Sequence, residues 1–290
     1  MERRPTEGIE AHRTRPARTN LTGRSSAGNV AAMTVDYELN GHIAVITINR
    51  PDARNAVNTD VAQGIEAAID RLEEDPNAWV GILTGAQTAK GWIFCAGADL
   101  KQMAVDPGGM STAKGGFAGL VQRERTKPLI AAVDGPALAG GTEIVLACDL
   151  VVASETAVFG VPEVKRNLVA AGGGLFRLPR KIPRNIAMEL ILTGRLDFSA
   201  AEAHHYGLVN HLSAEGSALA RATELAEQIC EAAPLAVVES RQIVLETTDA
   251  DDSVGWQRSG EGIIKMFGTE DFSEGLNAFI EKRAPEWKNK

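Results

Sequence analysis

The sequence predicts an α/β fold of repeated strand–strand–helix units followed by a helical C-terminal third. Three observations predict it. Short apolar runs alternate with stretches whose apolar residues recur every three to four positions. Two small-residue turns, Phe94–Lys101 and Asp134–Glu143, each directly follow a strand, the second opening a helix. After about residue 185 the strand signals fade and helical stripes take over.

Residues 1–32 hold six Arg, three Glu and neither Asp nor Lys, with no apolar periodicity, and are expected to be a disordered tail. Arg3-Arg4 is not followed by the apolar stretch of a twin-arginine signal, so Met33 is the expected true start. The folded part then splits into an α/β core over 33–205 and a helical region over 206–290. Strand-like Tyr37–Leu39 and His42–Asn49 flank Asn40-Gly41, a two-residue hairpin signal. Asn58-Thr59-Asp60 can cap a helix that lines up Val61, Ile65, Ile69 and Leu72 and ends near Asp75-Pro76. Trp79–Leu83 reads as a buried strand. The alternation returns with strand Leu129–Val133, helix Gly141–Cys148, and strands Leu150–Ser154 and Ala157–Gly160. Between these, the glycine-rich loop from Val105 to Ala118 is expected to be mobile and to shape a pocket. Ser199-Ala200-Ala201-Glu202 is a capping box for a short helix stopped at Gly207. Two later stripes, Leu219–Ile229 and Phe272–Ile280, carry more apolar surface than one α/β body needs, which predicts subunit contacts.

Composition narrows the function. The 290 residues are 44% hydrophobic and 23% charged, as in ordinary globular proteins. The longest apolar runs fall far short of the roughly 20 residues of a spanning helix, which excludes one. A net charge of −8 argues against a nucleic-acid partner, whose phosphates need a basic face. Cys95, Cys148 and Cys230 are odd in number and contain no CxxC pair, which suits reduced thiols of the cytoplasm better than disulfides or a zinc site.

The chemistry concentrates at the two turns. Backbone amides exposed in Phe94-Cys95-Ala96-Gly97-Ala98-Asp99-Leu100-Lys101, and at the helix start after Gly140, can bind developing negative charge. Two such N–H groups aimed at one carbonyl oxygen would stabilise an enolate; the competing reading is two ordinary tight turns. Glu143 sits in an otherwise apolar helix, and Glu163 follows the strand that ends at Gly160. A carboxyl in apolar surroundings titrates nearer neutrality and can act as acid or base, whereas either glutamate alone could equally be a surface residue.

At these residues the chain resembles the enoyl-CoA hydratase/isomerase (crotonase) family. The stretches Ile46–Ala56, Phe94–Lys101, Gly135–Glu143 and Phe159–Glu163 look like its successive signatures, and Leu192–Arg195, Phe198–Ala203, Gly207–Asn210 and Ala278–Arg283 continue the likeness. The resemblance implies a crotonase-like spiral of repeated ββα units with a helical C-terminal trimerisation region, as a homotrimer or dimer of trimers. It implies hydration of a trans-2-enoyl-CoA in fatty-acid metabolism, with Glu143 and Glu163 as the acid/base pair and the amides of Ala98 and Gly140 as the oxyanion hole. Ala96, Asp99, Leu100 and Lys101 match the segment that touches coenzyme A; Arg54 and Lys282 match positions near its phosphates. No metal is implied, and no cofactor beyond the coenzyme A of the substrate. The same enolate also serves isomerases and carnitinyl-type dehydratases, and a non-catalytic RNA-associated homologue is the reading from another class. Two departures stand out: Ala139 and Ala171 occupy positions where the family often has glycine.

Overall fold

The computed structural model describes residues 34–290, so the tail read over 1–32 lies outside the described residues. The chain opens with β1 (Val35–Asn40) and β2 (Ile43–Ile48), then α1 (Thr59–Glu74) and β3 (Val80–Gly85). It continues through α2 (Leu100–Val105), the small strands β4 (Ser111–Thr112) and β5 (Gly116–Phe117), and β6 (Leu129–Val133). Next come β7 (Ala137–Leu138), α3 (Gly140–Leu146), β8 (Leu150–Ser154), β9 (Val158–Gly160), α4 (Gly174–Lys181) and α5 (Arg184–Thr193). The rest is β10 (Phe198–Ser199), α6 (Ala200–His205), β11 (His211–Ser213) and four helices: α7 (Ala218–Cys230), α8 (Pro234–Thr247), α9 (Asp252–Phe267) and α10 (Glu270–Glu281).

Local chemistry explains most boundaries. β1 and β2 pair antiparallel, but Asn40 opposes Ile43, so the turn is Gly41-His42, one residue later than expected. Gly41 takes the left-handed φ of +59° that such a turn needs. The Asn58 side chain accepts the Val61 N–H and starts α1, whose Val61, Ile65, Ile69 and Leu72 are all buried. Each such side chain contributes about 1.5–3 kcal/mol by leaving water. Ser199 and Glu202 form the expected capping box of α6.

Two sheets carry the site. The larger has the order β1-β2-β3-β6-β8-β11, parallel from β2 onward. The smaller has the order β10-β9-β7. Strands therefore do not stop at residue 185: β10 and β11 each complete a sheet edge, and both are too short to show a period in sequence.

The Leu219–Ile229 stripe also differs from expectation. It lies on α7, whose Ala218, Ala222 and Ala226 pack on Val80, Ile82, Ile130, Ala132 and Val152 of the larger sheet. Buried Asp134 fixes that helix by accepting the N–H of Gly216 (2.8 Å), just before it, and the N–H of Ala218 (3.2 Å), which its first turn leaves unpaired. This stripe is thus covered within the chain. On α10, by contrast, Phe279 and Ile280 remain 85% and 75% exposed. No helix among the described residues is long and apolar enough to cross a membrane.

Candidate active site

Parallel backbone bridges bring the two turns together. Val57 bridges Ala98, with its N–H on the Gly97 carbonyl (2.8 Å) and its carbonyl taking the Asp99 N–H (2.8 Å). Successive N–H groups of an extended chain point to opposite sides, so the N–H of Ala98 is left over. Cys95 bridges Ala137, and the Leu138 N–H reaches the Cys95 carbonyl at 3.0 Å. Gly140 is the first residue of α3, where a helix leaves its N–H groups unpaired. Among the described residues neither Ala98 N–H nor Gly140 N–H has a protein acceptor. The turns touch: a Cβ on Gly97, itself at φ +89°, would lie 2.8 Å from Ala139 Cβ and 3.0 Å from Gly140 N.

Ala139 stands before Gly140 at φ 52°, ψ −125°, a conformation that side chains rarely adopt. Its N–H donates to the Gly160 carbonyl (2.8 Å) and its carbonyl accepts the Thr142 N–H (2.9 Å), so the flanking backbone holds it there.

Both turns open on a cavity of about 980 Å³, and both glutamates line it. Glu143 is 5% exposed; its Oε1 accepts the Gly174 N–H at 3.0 Å. A Cβ at Gly172 would fall 2.7 Å from its Oε2, so glycine there admits the carboxylate. Burial pushes Glu143 up to about 7; the Gly174 N–H opposes this and the charge of Glu163 adds to it. Glu163 lies on a short 3₁₀ turn, Pro162–Arg166, with Oε2 buried and without a partner among the described residues. Burial raises its pKa as well, against the charge of Arg166.

Arg54, Ala96, Asp99, Leu100 and Lys101 line the same cavity. The Asp99 carboxylate is already engaged: it accepts Arg50 Nη1 at 2.7 Å and caps α2 through the Lys101 N–H at 2.9 Å. The hydrogen bond from Arg50 holds it below the usual carboxylate range. Lys282 is not brought there; it is the left-handed cap of α10, outside this cavity. Ala171 lines the cavity, while Gly172 and Gly174 are the residues against Glu143. The Val105–Ala118 loop contains the β4–β5 hairpin, whose Phe117 ring covers Gly140 closely enough that a Cβ there would meet it at 2.5 Å.

Sequence reading assigned no role to Arg50, Asn55 or Phe117. Asn55 is fully buried and donates to the carbonyls of Ala86 (2.8 Å) and Ile93 (2.7 Å), fixing the turn that presents Arg54. The only signal was its place in the Ile46–Ala56 signature.

The family model described as enoyl-CoA hydratase/isomerase matches residues 38–290. The chain belongs to that family. It is 43% identical over 259 residues to an enoyl-CoA hydratase of Mycobacterium tuberculosis, covering 87% of this chain and 96% of the relative. A carnitinyl-CoA dehydratase of Proteus mirabilis is 36% identical over 256 residues, covering 86% and 96%. The crystal structure of an enoyl-CoA hydratase from Mycobacterium tuberculosis superposes with a TM-score of 0.84 at 46% identity, covering 89% of this chain and all of that one. The crotonase fold and membership of this enzyme family are therefore established for the chain.

Proposed function

We propose that the protein is an enoyl-CoA hydratase that adds water reversibly to a trans-2-enoyl-CoA, giving a 3-hydroxyacyl-CoA. The observation that carries this reading is a buried carboxyl and a half-buried one in one cavity with two unspent backbone N–H groups. The thioester oxygen sits between the amides of Ala98 and Gly140. Glu143 takes a proton from water as its oxygen bonds to C3; the C2–C3 π electrons move toward the thioester, whose oxygen the amides stabilise. The enolate then collapses as C2 takes a proton from Glu163, so atoms and charge balance. Arg54 and Lys101, cations at the cavity edge, face the coenzyme A phosphates. Two acids that share one water titrate as a pair.

Loss of absorbance at the conjugated thioester tests the reading. Glu143→Gln and Glu163→Gln should each lower hydration by roughly 10²- to 10⁴-fold, and the double variant by much less than the product. Full hydratase activity in Glu143→Gln would remove Glu143 from the hydration step, whereas a wild type that migrates the double bond through Glu163 without hydrating it would be a one-base isomerase instead. The likeness to a carnitinyl-CoA dehydratase supports one second reading, the same chemistry run as dehydration, which a panel of 3-hydroxyacyl-CoA esters separates.

Assembly as a trimer, or a pair of trimers, is supported by the uncovered Leu276, Phe279 and Ile280 of α10. Light scattering that reports a monomer at micromolar concentration would overturn it. The three free thiols, two of them buried, suit a reducing cytoplasm.

A further inference from the structure

One buried cation near Glu143 is left without a task by the chemistry above. Arg177 lies one turn into α4, on the helix whose first N–H, that of Gly174, holds Glu143. Its side chain folds back over the helix start, so that a Cβ on Gly173 would meet Nη1 at 2.8 Å. Nη2 donates to the Val121 carbonyl at 2.7 Å, and Val121 follows the segment that lays Phe117 over Gly140. Nη1 is buried and has no partner among the described residues.

This is a costly place for a positive charge. The start of a helix is its positive end, and a buried unpaired donor carries its full desolvation penalty. Burial weakens the guanidinium's hold on its proton, and repulsion from Arg125 and Arg180 adds to this. Arg125 is neutralised by Asp149 at 2.6 Å, and Asp149 also takes Arg241 at 3.0 Å, so neither of those arginines is available to Glu143. Among the described residues Arg177 makes no direct ion pair with Glu143; the two side chains flank one glycine run, Nη1 against Gly173 and the carboxylate against Gly172 and Gly174, and Cys148, Arg125 and Arg180 are the other charged or titratable groups that act on Arg177. Those that interact with Glu143 are Glu163 and Arg177.

We propose that Arg177 is a positioning residue, one guanidinium that ties the glycine floor under Glu143 to the Phe117–Val121 wall and serves as the counter-charge of the Glu143 carboxylate. It touches neither substrate nor reacting atoms. It acts by keeping Glu143 ionisable in a place where burial favours the neutral acid. The proposal rests on the role given to Glu143 above.

The test is Arg177→Met, read by two pH profiles. Removing the cation should move the acid limb of kcat/KM up by about one pH unit, with kcat falling more than KM rises. The second profile needs no turnover: the gap in melting temperature between Glu143→Gln and the wild type grows as pH rises through the Glu143 titration, then levels off. Adding Arg177→Met to both should move that levelling-off up by a similar amount. Arg177→Lys keeps a charge without the paired donors, so it should restore both pH positions while kcat stays low. If Arg177→Met does not fold, Arg177→Gln gives the same two readings. Unmoved profiles in a folded neutral variant, or Arg177→Lys behaving as Arg177→Met, would overturn the proposal. If Glu143→Gln itself hydrates at full rate, the role given to Glu143 fails, and the melting profile still decides the pairing.

Discussion

The turn at Ala98 and the turn at Gly140 present the same group, a backbone N–H, yet the acid beside each is treated in opposite ways. Asp99, next to Ala98, receives Arg50 and a helix start, and is held ionised. Glu143, one helical turn beyond Gly140, receives the Gly174 N–H but is buried at the cavity wall and retains its proton up to about 7. The backbone contrast runs the other way. The first turn's positive φ falls on glycine; the second has glycine at Gly135 but places Ala139 at a positive φ directly before Gly140. One turn is built for stability around a settled charge, and the other accepts strain and a reluctant charge.

Four changes would break or sharpen this contrast. Gly97→Ala should have the largest effect, because its Cβ has backbone of the second turn within 3.0 Å and the residue sits at φ +89°. We expect turnover to fall by at least about 10²-fold, the usual cost of losing one oxyanion donor, with a lower melting temperature. Glu143→Gln comes next and should stabilise the fold at alkaline pH. A carboxyl whose native pKa is raised costs nothing while it is protonated in both states, and costs its full amount above the native value. The variant should therefore match the wild type in acid and gain up to about 3 kcal/mol above pH 7, measured by urea unfolding. Equal stability at pH 8 would show that Glu143 is not held in an apolar place.

Asp99→Ala should do the reverse. It removes a helix cap worth about 1 kcal/mol, and the loss should be full at neutral pH and shrink as pH falls through the depressed pKa of Asp99. A loss independent of pH would mean that the Arg50 contact contributes nothing. The smallest effect is expected from Ala139→Gly, which relieves the positive φ but loosens the unfolded chain, for a net gain of about 1 kcal/mol or less. Destabilisation would show that the Ala139 methyl is packed rather than strained.

Whatever depended on local pattern was legible in the sequence. The α1 cap, the first hairpin and the two turns follow from neighbouring residues, and Glu143 and Glu163 were found because each stands beside a turn. The Leu219–Ile229 stripe shows where such reading stops: periodicity says that a face is covered, not by what, and on α7 the cover is the chain's own sheet. β7, β10 and β11 are two or three residues long, below any detectable period. Asn55 and Arg50 act on groups 31 to 49 residues away, and Arg177 reaches across 56, so nothing near them in the chain announces their partners.

The contact between the two turns has a further consequence, for how this protein can change over time. Both groups that the proposed function offers to the thioester oxygen are peptide N–H groups, beside bridges through Val57 and Ala137. Among the coded residues only proline lacks that group, so nearly every substitution at Ala98 or Gly140 keeps the donor and alters only its surroundings. Drift can therefore rework the cavity walls, such as Leu168, Val169 and Leu196, while the two unpaired N–H groups persist as a property of the chain path.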